Sequence, residues 1–544
     1  MANDKRYAQA DNDALLRIFT IPEAPSSTLS KIEAEISKNL NGFLSNHIVA
    51  TDKPLSEIEK DFASSALPER PEYVSAHTSQ LLDTLIAQSV HTSAPGFIGH
   101  MTSALPYFLL PLSKLMVGLN QNLVKIETSK AFTPMERQVI GMMHRLVYGN
   151  DDEFYHHWMH FADSSLGAFC SGGTVANITA LWVARNRLLA AKPGYKGVSE
   201  EGLAKGLKTY GYEDLAILVS ERGHYSLKKA ANILGLGHSS IIAIPTDTEH
   251  RIDCQRLREK CAELEENNIK VMAIVGIAGT TETGSLDPLT QLAEIALQYQ
   301  AHFHVDAAWG GATLFSNKYR SRLQGIELAD SVTIDAHKQM YVPMGAGLVL
   351  FKNPKVVAAI AHHAEYILRK GSKDLGSHTL EGSRPGMAML LYASLHIISR
   401  PGYELLINQG IEKAKYFASL IERNDDFQLV SKPELCLLTY RYVPKATQLY
   451  LQQCTTSQAV KVNEILDRLT VVMQKMQREA GKSFVSRTRI PRQGQSSAAI
   501  SVFRVVLANP LTTNDILQQV LVEQEEIANE QTDLLAQLQI LITD

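Results

Sequence analysis

The stretch "VMAIVGIAGTTETGSLDPLTQLAEIALQYQAHFHVDAA", residues 271–308, decides the fold. It begins with a β-branched apolar run, continues through a segment whose apolar residues recur at three and four positions, and ends in a second apolar run. The outer segments are typical of buried strands, and the middle one is typical of an amphipathic helix. A strand, a helix and a strand in this order predict a parallel crossover unit.

Further units of the same kind flank this stretch. The strand-like runs "LAILVS" (215–220), "SIIAIP" (240–245), "DSVTIDA" (330–336) and "GAGLVLF" (345–351) follow or precede helical segments. We therefore predict an α/β fold with a mostly parallel central sheet and helices on both faces. In such sheets the ligand binds outside the carboxyl ends of the strands, where the connecting loops lie.

The texture of the sequence changes on either side of this α/β region. Residues 1–100 carry amphipathic helical patterns that need a partner surface, so we predict an N-terminal helical segment that takes part in dimer contacts. Residues 101–385 form the predicted large α/β domain. Residues 386–544 alternate long helical patterns with extended runs, which indicates a smaller α+β C-terminal domain.

Composition excludes several classes of function. The 544 residues carry a formal net charge of -4, which leaves no basic field for nucleic acid and no polybasic membrane patch. The longest apolar stretch is interrupted by Pro106, Pro111 and Lys114, which argues against a membrane span. Five scattered cysteines without a CxxC pair fit a reducing compartment, and the polar N-terminus is unlike a secretory signal. We therefore expect a cytoplasmic protein that acts on a small molecule.

One lysine stands at the end of a predicted strand in "TIDAHKQMYVP", residues 333–343. Lys338 precedes the apolar, glycine-rich run 345–351, so its ammonium group is predicted to be partly enclosed, which is costly for a cation. Such a lysine is either an ordinary loop residue or a nucleophile with partners elsewhere in the chain.

Four predicted strand ends supply such partners. Gly172, Gly173 and Thr174 open a helical segment, as a phosphate cradle does, although such a turn is often only a helix start. His224 could stack on a planar ligand. Thr280 and Thr281 offer hydroxyl groups. Asp306 lies between apolar residues and needs a cation, which a protonated pyridine nitrogen would supply. Together with Lys338, these are the parts of a pyridoxal phosphate site.

The segments "HVDAAWGG" (304–311), "DSVTIDAHK" (330–338), "GTTETGSLDP" (279–288) and "SERGHYSLKKA" (220–230) resemble the group II pyridoxal-phosphate-dependent amino acid decarboxylases, the family of glutamate, aspartate and aromatic amino acid decarboxylases. The resemblance runs from about residue 90 to the end of the chain. It implies the aspartate aminotransferase-like fold type I, with the cofactor in the large domain. It also implies a homodimer with the active site at the subunit interface.

The resemblance also implies roles for individual residues. Lys338 would be the Schiff-base lysine, Asp306 the partner of the pyridine nitrogen, Ala308 a small residue against the ring and His224 the stacking residue. The other residues expected to bind the cofactor are Gly172, Gly173, Thr174, Thr281 and His337. One departure is visible, because relatives commonly have asparagine where this chain has Asp335, and a carboxylate would repel phosphate.

Alignment with the family suggests the remaining catalytic and substrate-binding residues. His378 takes the place of a tyrosine that protonates Cα, with Tyr366 as the alternative donor. Arg504 corresponds to an arginine that binds the α-carboxylate of the substrate.

The segments that correspond to the family's side-chain pocket are polar. Thr102 and Asn120 are the matched positions in this pocket, and Lys125 is a possible source of charge. The overall pattern resembles bacterial enzymes proposed as aspartate 1-decarboxylases. It favours conversion of L-aspartate to β-alanine, with L-glutamate to 4-aminobutyrate as the alternative.

Two other interpretations are open. The motif "HFHVD" (302–306) and the i, i+4 pair His156 and His160 could hold zinc in a metal-dependent hydrolase. That interpretation leaves Lys338 and the paired glycines unexplained, so we predict that the site contains no metal. A catalytically silent homologue that acts as a binding scaffold is the second alternative, which the histidine at position 378 keeps open.

Overall fold

The computed structural model describes residues 28–46, 53–86, 88–363, 371–492 and 495–543. In chain order its strands are β1 (Gly167–Cys170), β2 (Asp214–Ser220), β3 (Ile241–Ile244), β4 (Ile269–Ile277), β5 (His302–Asp306), β6 (Ser331–Asp335), β7 (Gly347–Phe351), β8 (Phe427–Ser431), β9 (Leu437–Tyr442), β10 (Ser486–Arg492) and β11 (Gln495–Val506).

The α-helices are α1 (Thr28–Asn46), α2 (Leu55–Asp61), α3 (Val74–Leu81), α4 (Leu109–Leu119), α5 (Ile126–Ser129), α6 (Phe132–Tyr148), α7 (Asp152–Trp158), α8 (Gly173–Leu188), α9 (Val198–Glu201), α10 (Leu203–Tyr210), α11 (Ser226–Ile233), α12 (Cys254–Glu266), α13 (Leu289–Gln298), α14 (Ala388–Ile397), α15 (Ser399–Arg423), α16 (Lys445–Gln453), α17 (Thr456–Ala480), α18 (Asn514–Asn529) and α19 (Thr532–Thr543). No helix in the described ranges is long and apolar enough to cross a membrane.

Seven strands form the large sheet in the order β1-β7-β6-β5-β4-β2-β3. The strands from β6 to β3 pair in parallel, while β7 is antiparallel to both of its neighbours. Strands β4, β5 and β6 read as near-continuous apolar runs because helices cover both faces of the sheet, and the strands are almost wholly buried. The predicted α/β fold with a mostly parallel sheet is confirmed.

The carboxyl ends of β2, β4, β5 and β6 meet at one edge of this sheet because the strands run in the same direction. The turn from β6 back into β7 starts at that edge, where Asp335 pairs with Gly347. Lys338 lies in this turn, three residues beyond β6. Helix α8 begins at the same edge, directly after β1.

A second sheet of four antiparallel strands has the order β10-β11-β9-β8. Helices α15, α17 and α18 pack on it around a separate apolar core that includes Phe417, Tyr440 and Phe503. This arrangement confirms the predicted smaller α+β region near the C-terminus. Residues before α4 also join this region, since Ile98 bonds to the backbone of Phe484 and belongs to the same core. The domain boundaries themselves stay a prediction.

Candidate active site

A cavity of about 520 Å³ opens at the carboxyl edge of the large sheet. All of the residues expected to bind the cofactor line it: Gly172, Gly173, Thr174, His224, Thr281, Asp306, Ala308, His337 and Lys338. They come from five separate connections, after β1, β2, β4, β5 and β6. The parallel topology is what brings them together.

Lys338 extends its amine towards Asp335. The two side chains are 3.1 Å apart, from Nζ to Oδ2, and Asp335 is buried. The other carboxylate oxygen of Asp335, Oδ1, has no hydrogen-bond partner in the part of the chain that the structure describes. Asp335, which is unlike the asparagine of relatives, therefore contacts the lysine directly.

The paired glycines let the start of α8 approach β6 and β7. A Cβ atom on Gly173 would lie 2.8 Å from Oδ2 of Asp335 and 3.3 Å from Cβ of Ala308. A Cβ atom on Gly172 would lie 3.2 Å from Cε1 of His337. Helix N-termini present free amide groups and favour anions, so this start of α8 fits a phosphate.

His337 is suited to donate a hydrogen bond to that phosphate. Its Nδ1 accepts from the backbone N–H of Ala346 at 3.3 Å, which assigns the proton of the neutral ring to Nε2. Burial lowers the pKa of His337, an effect that Asp335 opposes. The neutral ring can therefore donate through Nε2 at neutral pH.

Asp306 is held by two hydrogen bonds. Its Oδ1 accepts from the backbone N–H of Ala308 at 3.1 Å, and its Oδ2 accepts from Nδ2 of Asn177 at 2.9 Å. The Oδ1 atom of Asn177 in turn lies 3.1 Å from Nε2 of His304, whose Nδ1 lies 2.8 Å from Oγ of Ser331. This buried network fixes the carboxylate while leaving lone pairs for the N–H of a protonated ring.

The same asparagine connects Asp306 to His224. Nδ2 of Asn177 donates to Oγ of Ser226 at 3.0 Å, and that hydroxyl lies 2.8 Å from Nδ1 of His224. Burial lowers the pKa of His224, although the nearby Asp306 opposes this shift. The imidazole is therefore oriented and neutral, as a ring that stacks on a planar cofactor should be.

Arg504, on β11, also lines the cavity. Its Nε donates to the carbonyl oxygen of Thr281 at 2.6 Å, and its Nη1 donates to that of Gly99 at 3.4 Å. Burial lowers the pKa of Arg504 to about 10, against the opposing effect of Glu282, so the guanidinium stays charged at neutral pH. The backbone contacts fix one side of the group and leave further N–H donors for an anion.

Several residues that line the cavity were not predicted from the sequence. Besides Asn177, they include His100, Arg222 and Trp309. Arg222 lies in the segment 220–230, directly after a predicted strand. A charged residue at such a strand end could have been recognised from the sequence as a candidate for the cavity. Asn177 was harder to find, because no pattern indicates which face of a buried helix turns to the site.

Four other residues singled out from the sequence do not line the cavity. Thr102 only approaches it, through a 3.0 Å contact from Oγ1 to Nδ1 of His100. Asn120 ends α4 in a left-handed conformation. His378 is buried in the short helix Leu375–His378, where burial lowers its pKa to about 4. Lys125, the possible charge source, pairs with Glu127.

The roles of Thr102, Asn120 and His378 stay predictions. Tyr366, the alternative proton donor, lies outside the described residues.

The histidines of "HFHVD" take part in structural bonds. Both nitrogens of His304 are engaged, with Ser331 and Asn177, and Nε2 of His302 lies 2.7 Å from Oγ of Ser331. Burial lowers the pKa of both histidines. His304 therefore helps to hold Asp306 in place, because both side chains bind Asn177.

Comparison with known proteins gives a consistent result. Residues 56–443 match the model of the pyridoxal-dependent decarboxylase conserved domain. An aspartate 1-decarboxylase of Aliivibrio fischeri is 65% identical over 97% of this chain and 97% of its own length.

Two solved structures share the fold. The first is the glutamate decarboxylase domain of a Vibrio parahaemolyticus diaminobutyrate-pyruvate transaminase and L-2,4-diaminobutyrate decarboxylase, with a TM-score of 0.79 at 19% identity, covering 96% of this chain and 100% of that one. The second is Oryza sativa TDC with PLP and tryptamine, with a TM-score of 0.78 at 18% identity, covering 96% and 99%. The chain therefore belongs to the pyridoxal-dependent decarboxylase family, and it is a carboxy-lyase of fold type I that uses pyridoxal phosphate.

Proposed function

We propose that the protein removes the α-carboxylate of L-aspartate and releases β-alanine and carbon dioxide. The observation that carries this proposal is the 65% identity to an aspartate 1-decarboxylase across nearly the whole of both chains. The cavity supports it, because two arginine residues, Arg222 and Arg504, line its wall. A small substrate with two carboxylates suits such a cavity better than an aromatic or cationic one.

Bound pyridoxal phosphate supplies an electron sink for the charge that decarboxylation leaves on Cα. Lys338 would hold the cofactor covalently, and Asp306 would keep the proton on the ring nitrogen. Asn177 and His304 keep the Asp306 carboxylate in place for that purpose. The start of α8, Thr174 and His337 would hold the phosphate.

Arg504 would bind the α-carboxylate. Its backbone bonds to Thr281 and Gly99 orient the guanidinium, so little conformational entropy is lost when an anion binds. By fixing the α-carboxylate, Arg504 would also fix how the bonds of Cα are presented to the cofactor. That orientation would select the bond to the carboxylate as the one that breaks.

We propose further that the enzyme is a cytoplasmic homodimer. Helix α4 and the residues before it expose a group of large apolar side chains: Leu105, Tyr107, Leu110, Leu115, Val117 and Leu119. A group of large apolar side chains exposed together is typical of a protein interface. Asn120 ends the same helix, so it would lie at this interface, and we propose that Asn120 serves the cavity of the partner. The five free cysteines fit a reducing compartment.

Carbon dioxide release from a panel of amino acids tests the substrate. The panel contains L-aspartate, L-glutamate, cysteine sulfinate, 2,4-diaminobutyrate and tyrosine, each incubated with the protein loaded with pyridoxal phosphate. We expect the highest kcat/KM with aspartate, and β-alanine in an amount equal to the carbon dioxide. Faster release from 2,4-diaminobutyrate or tyrosine would show that the acidic substrate is wrong.

A further inference from the structure

A chain of buried hydrogen bonds leads from Asp306 away from the cavity. Asn177 connects Asp306 to His304 through contacts of 2.9 and 3.1 Å. Ser331 connects His304 to His302 through contacts of 2.8 and 2.7 Å. All of these side chains are buried, and His302, His304 and Ser331 do not line the cavity. These three residues can therefore affect a ligand in the cavity only through the groups that they bind.

The orientation of the Asn177 amide decides the direction of these hydrogen bonds. Its Nδ2 lies 2.9 Å from Oδ2 of Asp306, a carboxylate that can only accept, and 3.0 Å from Oγ of Ser226. Its Oδ1 therefore faces Nε2 of His304, and that nitrogen must carry the proton of the ring in order to donate. Burial lowers the pKa of His304 to about 4, so the ring is neutral at neutral pH and its Nδ1 carries no proton.

The same reasoning extends to Ser331 and His302. The unprotonated Nδ1 of His304 needs a donor, and the Ser331 hydroxyl lies 2.8 Å away, whereas the backbone carbonyl oxygen of the same serine, at 3.2 Å, can only accept. Oγ of Ser331 then accepts from Nε2 of His302 at 2.7 Å. Nδ1 of His302 has no hydrogen-bond partner within the described ranges, which fits a neutral ring with its proton on Nε2. Every donor in the chain therefore points towards Asp306.

This common direction bears on the proton that Asp306 shares with the ring nitrogen of the cofactor. Burial by itself favours the neutral pair, in which the proton belongs to the carboxyl group. Donors aimed at a carboxylate favour its charged form, and successive hydrogen bonds strengthen one another. We infer that His302, Ser331 and His304 keep Asp306 ionised, so that the proton stays on the ring nitrogen. The inference rests on the proposed role of Asp306, and it holds for any amino acid substrate.

Ser331→Ala removes one oxygen atom from the middle of the chain. Nδ1 of His304 then keeps the backbone carbonyl oxygen of residue 331 as its neighbour, so the proton of the ring should move from Nε2 to Nδ1. Nε2 would then face Oδ1 of Asn177 as a second acceptor. The amide must turn to relieve this contact, and the turn removes its donor from Asp306.

Nuclear magnetic resonance measures both ends of the chain. In the holoenzyme, pyridoxal phosphate labelled with nitrogen-15 in the ring reports whether the ring nitrogen is protonated. In the cofactor-free protein, labelled histidine reports the tautomer of His304, and His304→Gln identifies its signal. We expect a protonated ring nitrogen in the wild type and a His304 that is protonated on Nε2.

The variants should differ in a graded way. Ser331→Ala should shift the proton equilibrium towards Asp306 by roughly tenfold, the effect of losing one hydrogen bond to a charged group, and should change the His304 tautomer. His302→Phe removes only the outermost donor, so its shift should be less than about threefold, with the tautomer unchanged. It also serves if Ser331→Ala does not fold. Ser240→Ala is the matched control, because this buried serine donates to the backbone carbonyl oxygen of Gly237 at 2.8 Å, and both signals should stay as in the wild type.

A ring-nitrogen signal that is the same in wild type and folded Ser331→Ala would overturn the inference. So would a wild-type His304 with its proton on Nδ1, because the donors would then not point towards Asp306. An equal shift in Ser240→Ala would also overturn it, since general loosening of the sheet would then explain the effect. An unprotonated ring nitrogen in the wild type, with His304 protonated on Nε2, would instead contradict the proposed role of Asp306 itself.

Discussion

The negative charge of Asp335 is favoured by one neighbour and opposed by another. Its carboxylate contacts the Lys338 amine at 3.1 Å, which favours the negative charge. It also lies against the start of α8, where the cofactor phosphate is expected, and there the same charge is unfavourable. Asp335 therefore stabilises the charged amine of Lys338 when no cofactor is bound, and its negative charge opposes binding of the cofactor phosphate.

Asp335→Asn separates these effects. The substitution keeps the size of the side chain and removes the charge, so pyridoxal phosphate should bind more tightly. We expect the dissociation constant to fall by up to about tenfold, equivalent to about 1.4 kcal/mol. Fluorescence titration of the cofactor-free protein measures it, and Asp330→Asn, a change at a half-exposed carboxylate outside the cavity, is the control. Weaker cofactor binding in Asp335→Asn would contradict this account.

Residues that chemistry alone demands were predictable from the sequence. Each of these residues has an ordinary explanation by itself, but a lysine, an aspartate and a glycine pair at several strand ends of one sheet fit few other purposes together. The structure brings Lys338, Asp306 and Gly173 to one cavity. The role of Asn177 was not predicted, because it depends on which side chains meet in three dimensions. Asn177 connects two strands and a helix that are far apart in the sequence.

At the scale of elements, the close approach of β7 to α8 shapes the phosphate end of the cavity. A Cβ atom on Gly347 would lie 2.7 Å from Oδ1 of Asp335 and 2.7 Å from Cα of Gly172. The second contact is with backbone, which cannot move without shifting the start of α8. A glycine is therefore required at position 347, the second glycine of "GAGLVLF", because any side chain there would collide with the start of α8.

Gly347→Ala should displace α8 and weaken cofactor binding at least tenfold. We also expect a loss of about 1–3 kcal/mol in the free energy of unfolding, as for other overpacked sites. Cofactor titration and urea denaturation measure the two effects. Gly42→Ala in α1 is the matched control, because an added Cβ there has nothing within 4 Å and alanine favours the helix. Equal cofactor affinity in both variants would refute the steric argument.

The helices and strands were largely predictable, because residues 215–351 alternate between continuous apolar runs and segments in which apolar residues recur every three or four positions. A strand and a helix differ in the spacing of apolar residues, and a covered parallel sheet makes its strands uniformly apolar. The antiparallel direction of β7 was not predictable. The run 345–351 indicates a strand, but direction is decided by the short turn that carries Lys338.

For the whole molecule, buried neutral histidines couple stability to pH. Burial lowers the pKa of His144 and of His378 to about 4, from an ordinary value near 6.5. The folded state therefore binds fewer protons than the unfolded state between these values. The stabilising contribution is complete above about pH 6.5 and is lost as the pH falls through about 4, at about 3 kcal/mol for each group.

The free energy of unfolding should accordingly fall between pH 7 and pH 4.5. Urea denaturation at several pH values measures it, and His144→Phe should reduce the slope, since this histidine is fully buried in α6. His77→Phe is the control, at an exposed histidine of α3. A pH dependence that is identical in wild type and His144→Phe would contradict the assignment.

The proposed dimer also makes a prediction at this scale. Val117 is 70% exposed on the apolar face of α4, and Val117→Glu would place a charge within the proposed interface. We expect monomers in sedimentation and a loss of activity that high protein concentration partly restores. Leu297→Glu changes a residue of α13 that is 81% exposed, and it should leave the dimer intact. Dimers of undiminished stability in Val117→Glu would place the interface elsewhere.

The position of the covalent cofactor link tests the whole account most directly. The holoenzyme is treated with borohydride, which fixes the link between cofactor and lysine, and is then digested and mapped by mass spectrometry. We predict a single phosphopyridoxyl group, on the peptide that carries Lys338. A modification on another lysine, or none on a protein supplied with pyridoxal phosphate, would contradict the site described for this chain.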